Sequence, residues 1–445
     1  MSVENTLFII VSFILLACSS PEKLAVGYVD PFIGTGGHGH TFPGATLPHG
    51  LVQLSPDTRL MGWDACGGYH YDDSSLLGFS HTHISGTGIG DYGDILFLPF
   101  TGAPLKIVKN GEDQVTRYGS RFSHDNEEAS PGYYKVVLED YGVTAELTAT
   151  ARTGLHRYTY PETREAGLMI DLISAVYQRN CLAAELEVLG DTEVRGMKHV
   201  EGWAPDRKVF FHAEFSKPFT ALLEVDGEAR TGVNEAASTQ LRAFLDFHNA
   251  EEGEQVIAKV GISFVDYEGA RKNLEAEAGK GDFDSLREAA RDIWQEELST
   301  IDVASADETA KTVFYTALYH SLIAPNVSSD VDGRYRTMKQ EIAQSDNYTN
   351  YTIFSLWDTF RSLHPLFTVI APERNEAMIR SLLEKYDEGG MLPMWELASN
   401  YTGTMIGYHA VSVIVDALVK GHRDFDLAKA YEACKRSSAY DSTGI

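Results

Sequence analysis

"EGARKNLEAEAGKGDFDSLREAARDIWQEELSTIDV", residues 268–303, marks the point where the rhythm of the chain changes. The stretch is charged, and its later part sets Leu286, Ala290, Ile293, Trp294 and Leu298 on one helical stripe. Before it, "DILFLPF", "YYKVVLEDY", "VTAELTATART", "GLHRYTY", "GLMIDLIS", "LAAELEVLG", "KVFFHAEF", "TALLEVDG", "QLRAFLDF" and "QVIAKVGISFV" are short runs rich in β-branched and aromatic residues. No helical crossover separates them, so they predict antiparallel sheets packed as a large β-sandwich over residues 27–267. After it, "DETAKTVFYTALYHSLIAP", "WDTFRSLHPLFTVIAP", "ERNEAMIRSLLEKY", "TMIGYHAVSVIVDALVKG" and "DFDLAKAYEACKRSS" carry apolar residues at helical spacing. The expected organisation is multidomain, β then α: a sandwich, a helical linker over residues 268–302 lying against it, and a helical array over 303–445.

Helical hairpins in series behind a sandwich are the architecture of several (α/α)6-barrel glycoside hydrolase families. Such a barrel takes twelve helices, and the array shows about five. This half ring would leave apolar stripes facing water.

The formal net charge of −27 repels a phosphate backbone, which excludes nucleic acid as a partner and favours neutral ligands or cations. Residues 1–17 are expected to be a signal peptide of lipoprotein type. Leu7 to Ala17 form an apolar run too short to span a bilayer, and "LLAC" followed by two serines resembles a lipobox, although "MSVENT" lacks Lys and Arg. Cleavage before Cys18 and acylation of that cysteine would leave an exported lipoprotein of the bacterial cell envelope, in periplasm or outer membrane, membrane-bound through its N-terminal lipid anchor. Cys66, Cys181 and Cys434 are too widely spaced for a disulfide framework or a zinc site. The sequons at Asn326, Asn347, Asn350 and Asn400 are read as chance, because the lipobox points to a bacterial protein.

"WDTFRSLHPL", residues 357–366, opens a helical pattern with Trp357 and Asp358. An indole stacks on the C–H face of a sugar and a carboxylate accepts from its hydroxyls. The plainer reading is a helix start with Asp358 at the positive end of the dipole. The N-terminal blocks decide between them. "YVDPFIGTGGHGHTFPGATLPHGLVQLSPDT" (28–58) and "GWDACGGYHYDDSSLLGFSHTHISGTGIGDYGDILFLPF" (62–100) resemble the opening of glycoside hydrolase family 92. "FYTALYHSLIAPNVSSDVDGRYR", "YTIFSLWDTFRSLHPL" and "GGMLPMWELASNYTGTMIGYHAVSVIVDA" continue the resemblance in order.

The resemblance implies a calcium-dependent, inverting exo-α-mannosidase. Such an enzyme has a β-sandwich joined to an (α/α)6 barrel and a pocket between them, and it removes mannose from the non-reducing ends of α-mannosides such as N-glycans or mannan. "WDTF" then lies at the floor of the mannose pocket. Asp358 and Arg361, at i and i+3, share a sugar hydroxyl or pair with each other. His81 and His83 in "GFSHTHISGTG" are read with Asp57, Trp63 and Asp64 as side chains of polar loops at the sandwich rim. A histidine metal site is set aside because calcium takes oxygen ligands. Trp395, Glu396 and His409 are further pocket candidates, with Glu396 not the general acid. The family's acid and base blocks and most calcium ligands are expected beyond Ile445, since "GNE", "NEP" and "NDD" do not occur. Inversion needs two carboxylates about 6.5–9.5 Å apart, so the chain reads as a fragment inactive alone. The alternative is a non-catalytic, lipid-anchored carbohydrate-binding remnant.

Overall fold

Strand Glu254–Ser263 shows how the first domain is built. Val256, Ala258, Val260 and Ile262 are fully buried on one face, while the residues between them turn outward. A computed structural model describes residues 23–108, 116–345 and 347–439; the apolar leader and Cys18 lie outside the described residues. Glu254–Ser263 sits inside a nine-stranded sheet, between Arg207–Phe215 and Thr153–Tyr160. An eight-stranded sheet faces it, with Leu96–Thr101, Thr163–Asp171 and Leu241–Ala250 at its centre. The paired strands are antiparallel, and both sheets contribute to one apolar cluster that includes Phe97, Leu168, Ile170, Phe211, Leu245 and Val260. Each fully buried large side chain of this kind contributes on the order of 1.5–3 kcal/mol.

The linker comprises two helices, α1 (Tyr267–Ala278) and α2 (Phe283–Leu298), capped by the carboxylates of Asp266 and Asp282. On the expected stripe Ala290, Trp294 and Leu298 are buried, but Ile293 is 40% exposed and Leu286 half-buried. Trp294 donates its indole N–H to the Thr46 carbonyl at 2.7 Å, tying α2 to the sandwich.

The array contains α3 (Glu308–Ser321), α4 (Leu356–Thr359), α5 (Leu363–Ile370), α6 (Pro372–Gly389), α7 (His409–Val419) and α8 (Leu427–Ser437). α6 begins at a proline, whose missing N–H costs nothing there, and stops at Gly390 with φ 85°. Its core takes in Val26, Tyr28, Phe42 and Leu47 from the start of the described chain beside Tyr319, Phe367, Leu382 and Ile414. Conversely, Ile353, Trp395, Leu397 and Ala398 join the sandwich cluster. The two domains are therefore interlocked by exchanged segments. Val369 on α5, Val419 on α7 and Ile406 in the loop before α7 are each about three-quarters exposed. Asn326, Asn350 and Asn400 are buried, which argues against glycans at three of the four sequons.

Candidate functional site

α4 is a single turn, and its position is set by what precedes it. Strand Phe354–Ser355 pairs with Trp395–Leu397, placing Ser355 opposite Trp395 and Phe354 opposite Glu396. The chain then turns outward, leaving Trp357 41% exposed and Asp358 exposed, with the Ser355 hydroxyl donating to the Asp358 carboxylate. Arg361 does not pair with Asp358; its guanidinium lies over the Phe360 ring at 4.8 Å. Phe360 stacks on His409, the first residue of α7, with centroids 4.2 Å apart. Burial and then the Arg361 charge lower the His409 pKa. Trp357, Asp358, Arg361 and His409 are thus brought together around the α4–α7 junction.

Trp395 and Glu396 lie beneath this junction instead of in an open loop. Trp395 is 4% exposed and packs on Trp203 at 4.2 Å. Glu396 is fully buried. Its Oε1 accepts from the Thr352 hydroxyl at 2.9 Å and the Ser399 N–H at 2.6 Å, and lies 3.2 Å from Lys385 Nζ. Oε2 has no partner among the described residues, but the side chain is fully enclosed, so neither oxygen reaches a glycosidic oxygen in this conformation. This enclosure withdraws Glu396 from the open pocket.

On the sandwich side, Trp63 and Asp64 sit in a short 3-10 turn, with Trp63 56% exposed. The expectation of rim positions does not describe the two histidines of "SHTH". His81 is fully buried; its Nδ1 donates to the Ile95 carbonyl at 2.6 Å and its Nε2 meets His156 Nε2 at 3.0 Å. Burial lowers its pKa to about 4. His83 is 2% exposed, with Nδ1 2.8 Å from the Gln53 carbonyl and Nε2 3.1 Å from Asp57. Asp57 is itself fully buried. These groups hold strands together below the rim.

A line of contacts joins the two exposed edges. The Cys66 thiol donates to the Trp63 carbonyl, and Tyr177 N–H donates to the Leu60 carbonyl at 2.6 Å. Arg179 donates to the Gly90 carbonyl at 3.0 Å, and its side chain packs at Gly202. Trp203 then reaches Trp395 and donates to the Thr404 hydroxyl at 2.7 Å. Under this line Arg207 is fully buried between Asp91, at 2.8 Å, and Asp94, which also pairs with Lys198 at 3.3 Å. Burial pushes the Asp94 carboxyl up, but Arg207 and Lys198 outweigh it and hold it below the usual range. Sequence reasoning missed Tyr177, Trp203 and Arg207 as supports. Nothing local marks them, because their partners lie far away in the chain.

The arrangement offers exposed indoles, carboxylates and a guanidinium on a rigid base, the chemistry that binds a polyhydroxylated ring. Among the described residues no three His, Cys, Asp or Glu side chains come together to hold a metal ion. A calcium ion would therefore find no ready cluster of carboxylates among them.

Fold and site define the class, a β-sandwich joined to a helical array. Residues 28–263 match the glycosyl hydrolase family 92 N-terminal domain, and residues 269–444 match the family's catalytic domain. The chain belongs to glycoside hydrolase family 92. A family GH92 α-mannosidase of Bacteroides thetaiotaomicron, solved with mannoimidazole, is 42% identical, with TM-score 0.90 over 95% of this chain and 56% of its own. An inverting mannosidase of the same family and organism is 28% identical, with TM-score 0.82 over 93% of this chain and 55% of its own. An uncharacterized secreted glycosidase of Arthroderma benhamiae is 28% identical over 91% of this chain and 51% of its own. The chain thus spans a little over half the length of these relatives. With them, the helical array is the first part of an (α/α)6 barrel.

Proposed function

We propose that the complete polypeptide releases mannose from the non-reducing ends of α-mannosides, such as N-glycan mannose or mannan, with inversion and with calcium. The observation that carries the reading is the α4 turn. It holds Trp357 and Asp358 outward beside Arg361 and His409, in a chain whose solved relatives include an α-mannosidase bound to mannoimidazole. Trp357 would stack on the sugar, while Asp358 would accept from its hydroxyls. Calcium, when bound, supplies positive charge that polarises sugar or water oxygens, and its ligands would come largely from outside the described residues. Export with a lipid on Cys18 belongs to the same proposal; a relative described as secreted supports the export part.

The test is hydrolysis of an aryl α-mannoside by a polypeptide that carries this chain and matches its relatives in length, with and without a calcium chelator. Chelator-sensitive mannose release is expected, while cleavage of other glycosides but not of mannosides would overturn the reading. A second reading, mannoside binding without hydrolysis by the 445-residue chain itself, is favoured by the burial of Glu396. Calorimetric binding of mannosides without turnover would support it.

A further inference from the structure

His38 is 83% exposed, yet its ring is not free to turn, because Nδ1 lies 2.8 Å from Asp64 Oδ1. The backbone beneath it is fixed as well. His70 Nε2 donates to the Gly37 carbonyl at 3.0 Å, and His70 Nδ1 accepts from the Asp72 N–H at 3.2 Å. Gly86 N–H donates to the His40 carbonyl at 2.8 Å, and a Cβ at Gly39 would overlap the Gly34 carbonyl. Trp63, next to Asp64, is held in the same way while 56% exposed. The His40 ring meets it edge-on at 4.9 Å, and its indole fills the space where a Cβ on Gly88 would stand 2.6 Å away. Exposed side chains ordinarily keep their rotamer freedom, and fixing them before binding removes an ordering cost that a ligand would otherwise bear.

The proton positions follow from the partners. The hydrogen bond from His38 lowers the Asp64 pKa, so the group is a carboxylate and can only accept. Nδ1 therefore donates to Asp64, and in the imidazole form Nε2 is left as an acceptor on an exposed ring. An acceptor beside a fixed indole face suits a pyranose, which offers a C–H face and a ring of hydroxyls.

We propose that His38 is a specificity-determining sugar contact, accepting through Nε2 a hydroxyl of a mannosyl ring stacked on Trp63, and that Asp64 is its positioning residue instead of a sugar ligand. The inference rests on the mannoside reading above.

The 445-residue chain is titrated calorimetrically with methyl α-mannoside and α-mannobiose as wild type, His38→Ala, Asp64→Ala, Asp64→Asn and the double alanine variant. Imidazole nitrogen shifts are read in parallel. His38→Ala weakens binding about three- to ten-fold, the range of one neutral hydrogen bond. Asp64→Ala weakens it comparably, and the double variant is no worse than His38→Ala. Asp64→Asn, whose amide oxygen accepts the same N–H, recovers affinity. The nitrogen shifts show His38 protonated at Nδ1 in wild type and Asp64→Asn but mixed between tautomers in Asp64→Ala, a change that a merely structural Asp64 would not produce. If His38→Ala binds like wild type, the inference falls and the mannoside reading stands. If wild type binds no mannoside, the inference and the binding reading of the 445-residue chain both fall, while the hydrolysis assay alone decides the reading of the complete polypeptide. If Asp64→Ala loses affinity while His38→Ala keeps it, Asp64 is the sugar ligand and the inference is overturned.

Discussion

Ser355 and Trp395 are cross-strand partners, so the residue that holds Asp358 at the surface is paired with one that is 4% exposed in the sandwich core. The α4 turn is therefore not a loosely attached helix start. Its carboxylate accepts from Ser355, the last residue of a strand whose register is fixed by pairing with Trp395–Leu397.

From this placement, Asp358→Ala in a polypeptide of the relatives' length is expected to lower kcat/KM for an aryl α-mannoside about ten- to a hundred-fold. That is the effect of losing a hydrogen bond to a charged acceptor, of order 1.5–3 kcal/mol. Asp358 is exposed, so thermal melting should barely move. Unchanged kinetics would return Asp358 to the role of a helix-start residue.

Glu396 should behave in the opposite way. Replacing it with Gln keeps a side-chain oxygen near Thr352 and Ser399 but leaves Lys385, which is 1% exposed, without its counter-charge. Breaking a buried pair by removing one partner costs about 3–5 kcal/mol. Chemical denaturation of Glu396→Gln should show a loss approaching that size. A variant with wild-type stability and lost activity would instead put Glu396 among the reacting groups.

The strand runs quoted from the sequence all appear as strands, because alternation toward a core is written locally. Glu193–Glu201, "EVRGMKHVE", was passed over although its burial alternates without a break. Its inward face reads Val194, Gly196, Lys198 and Val200, and a lysine there hides the pattern. Only the distant Asp94 and the Ser174 carbonyl make that burial tolerable. The site divides on the same ground. Trp357, Asp358 and Arg361 are neighbours in sequence and meet at α4. His81, His83, Trp395 and Glu396 are drawn inside by partners that sequence spacing does not reveal. His38 and Asp64, 26 residues apart, become a pair only once the rim loops are folded.

Cys18 and the apolar run before it lie outside the described residues, and among those described no helix is long and apolar enough to cross a membrane. A lipid on Cys18 is the anchor proposed above. Cys18→Ala should move it from the membrane fraction to the soluble fraction of cells producing it. Equal partitioning of wild type and variant would remove the lipobox reading.

Acid should destabilise the fold between about pH 6.5 and 4, because several histidines are buried as neutral rings. Burial lowers the His81 pKa to about 4, puts that of His156 well below its ordinary value, and takes His49 down to about 3 and His364 to about 4. In the unfolded chain these rings take up protons below about pH 6.5, while the folded state refuses them until the lower values are reached. The unfolded state then binds more protons throughout the window, so stability is present above about pH 6.5 and falls as pH falls through it. A depression of about two and a half units is worth up to about 3 kcal/mol, a large share of the roughly 5–15 kcal/mol that holds a domain together. The His81–His156 pair tests the cause. His81 Nδ1 donates to Ile95, so His81 Nε2 accepts from His156 Nε2–H, and His156 Nδ1 accepts from the Tyr158 hydroxyl at 2.7 Å. His156→Phe keeps a ring against Phe97 but strands the Tyr158 hydroxyl and removes one titrating group. Its melting temperature should be lower than wild type at pH 7.5 and should fall less steeply toward pH 4.5. Parallel curves for the two proteins would mean that acid acts elsewhere in the molecule.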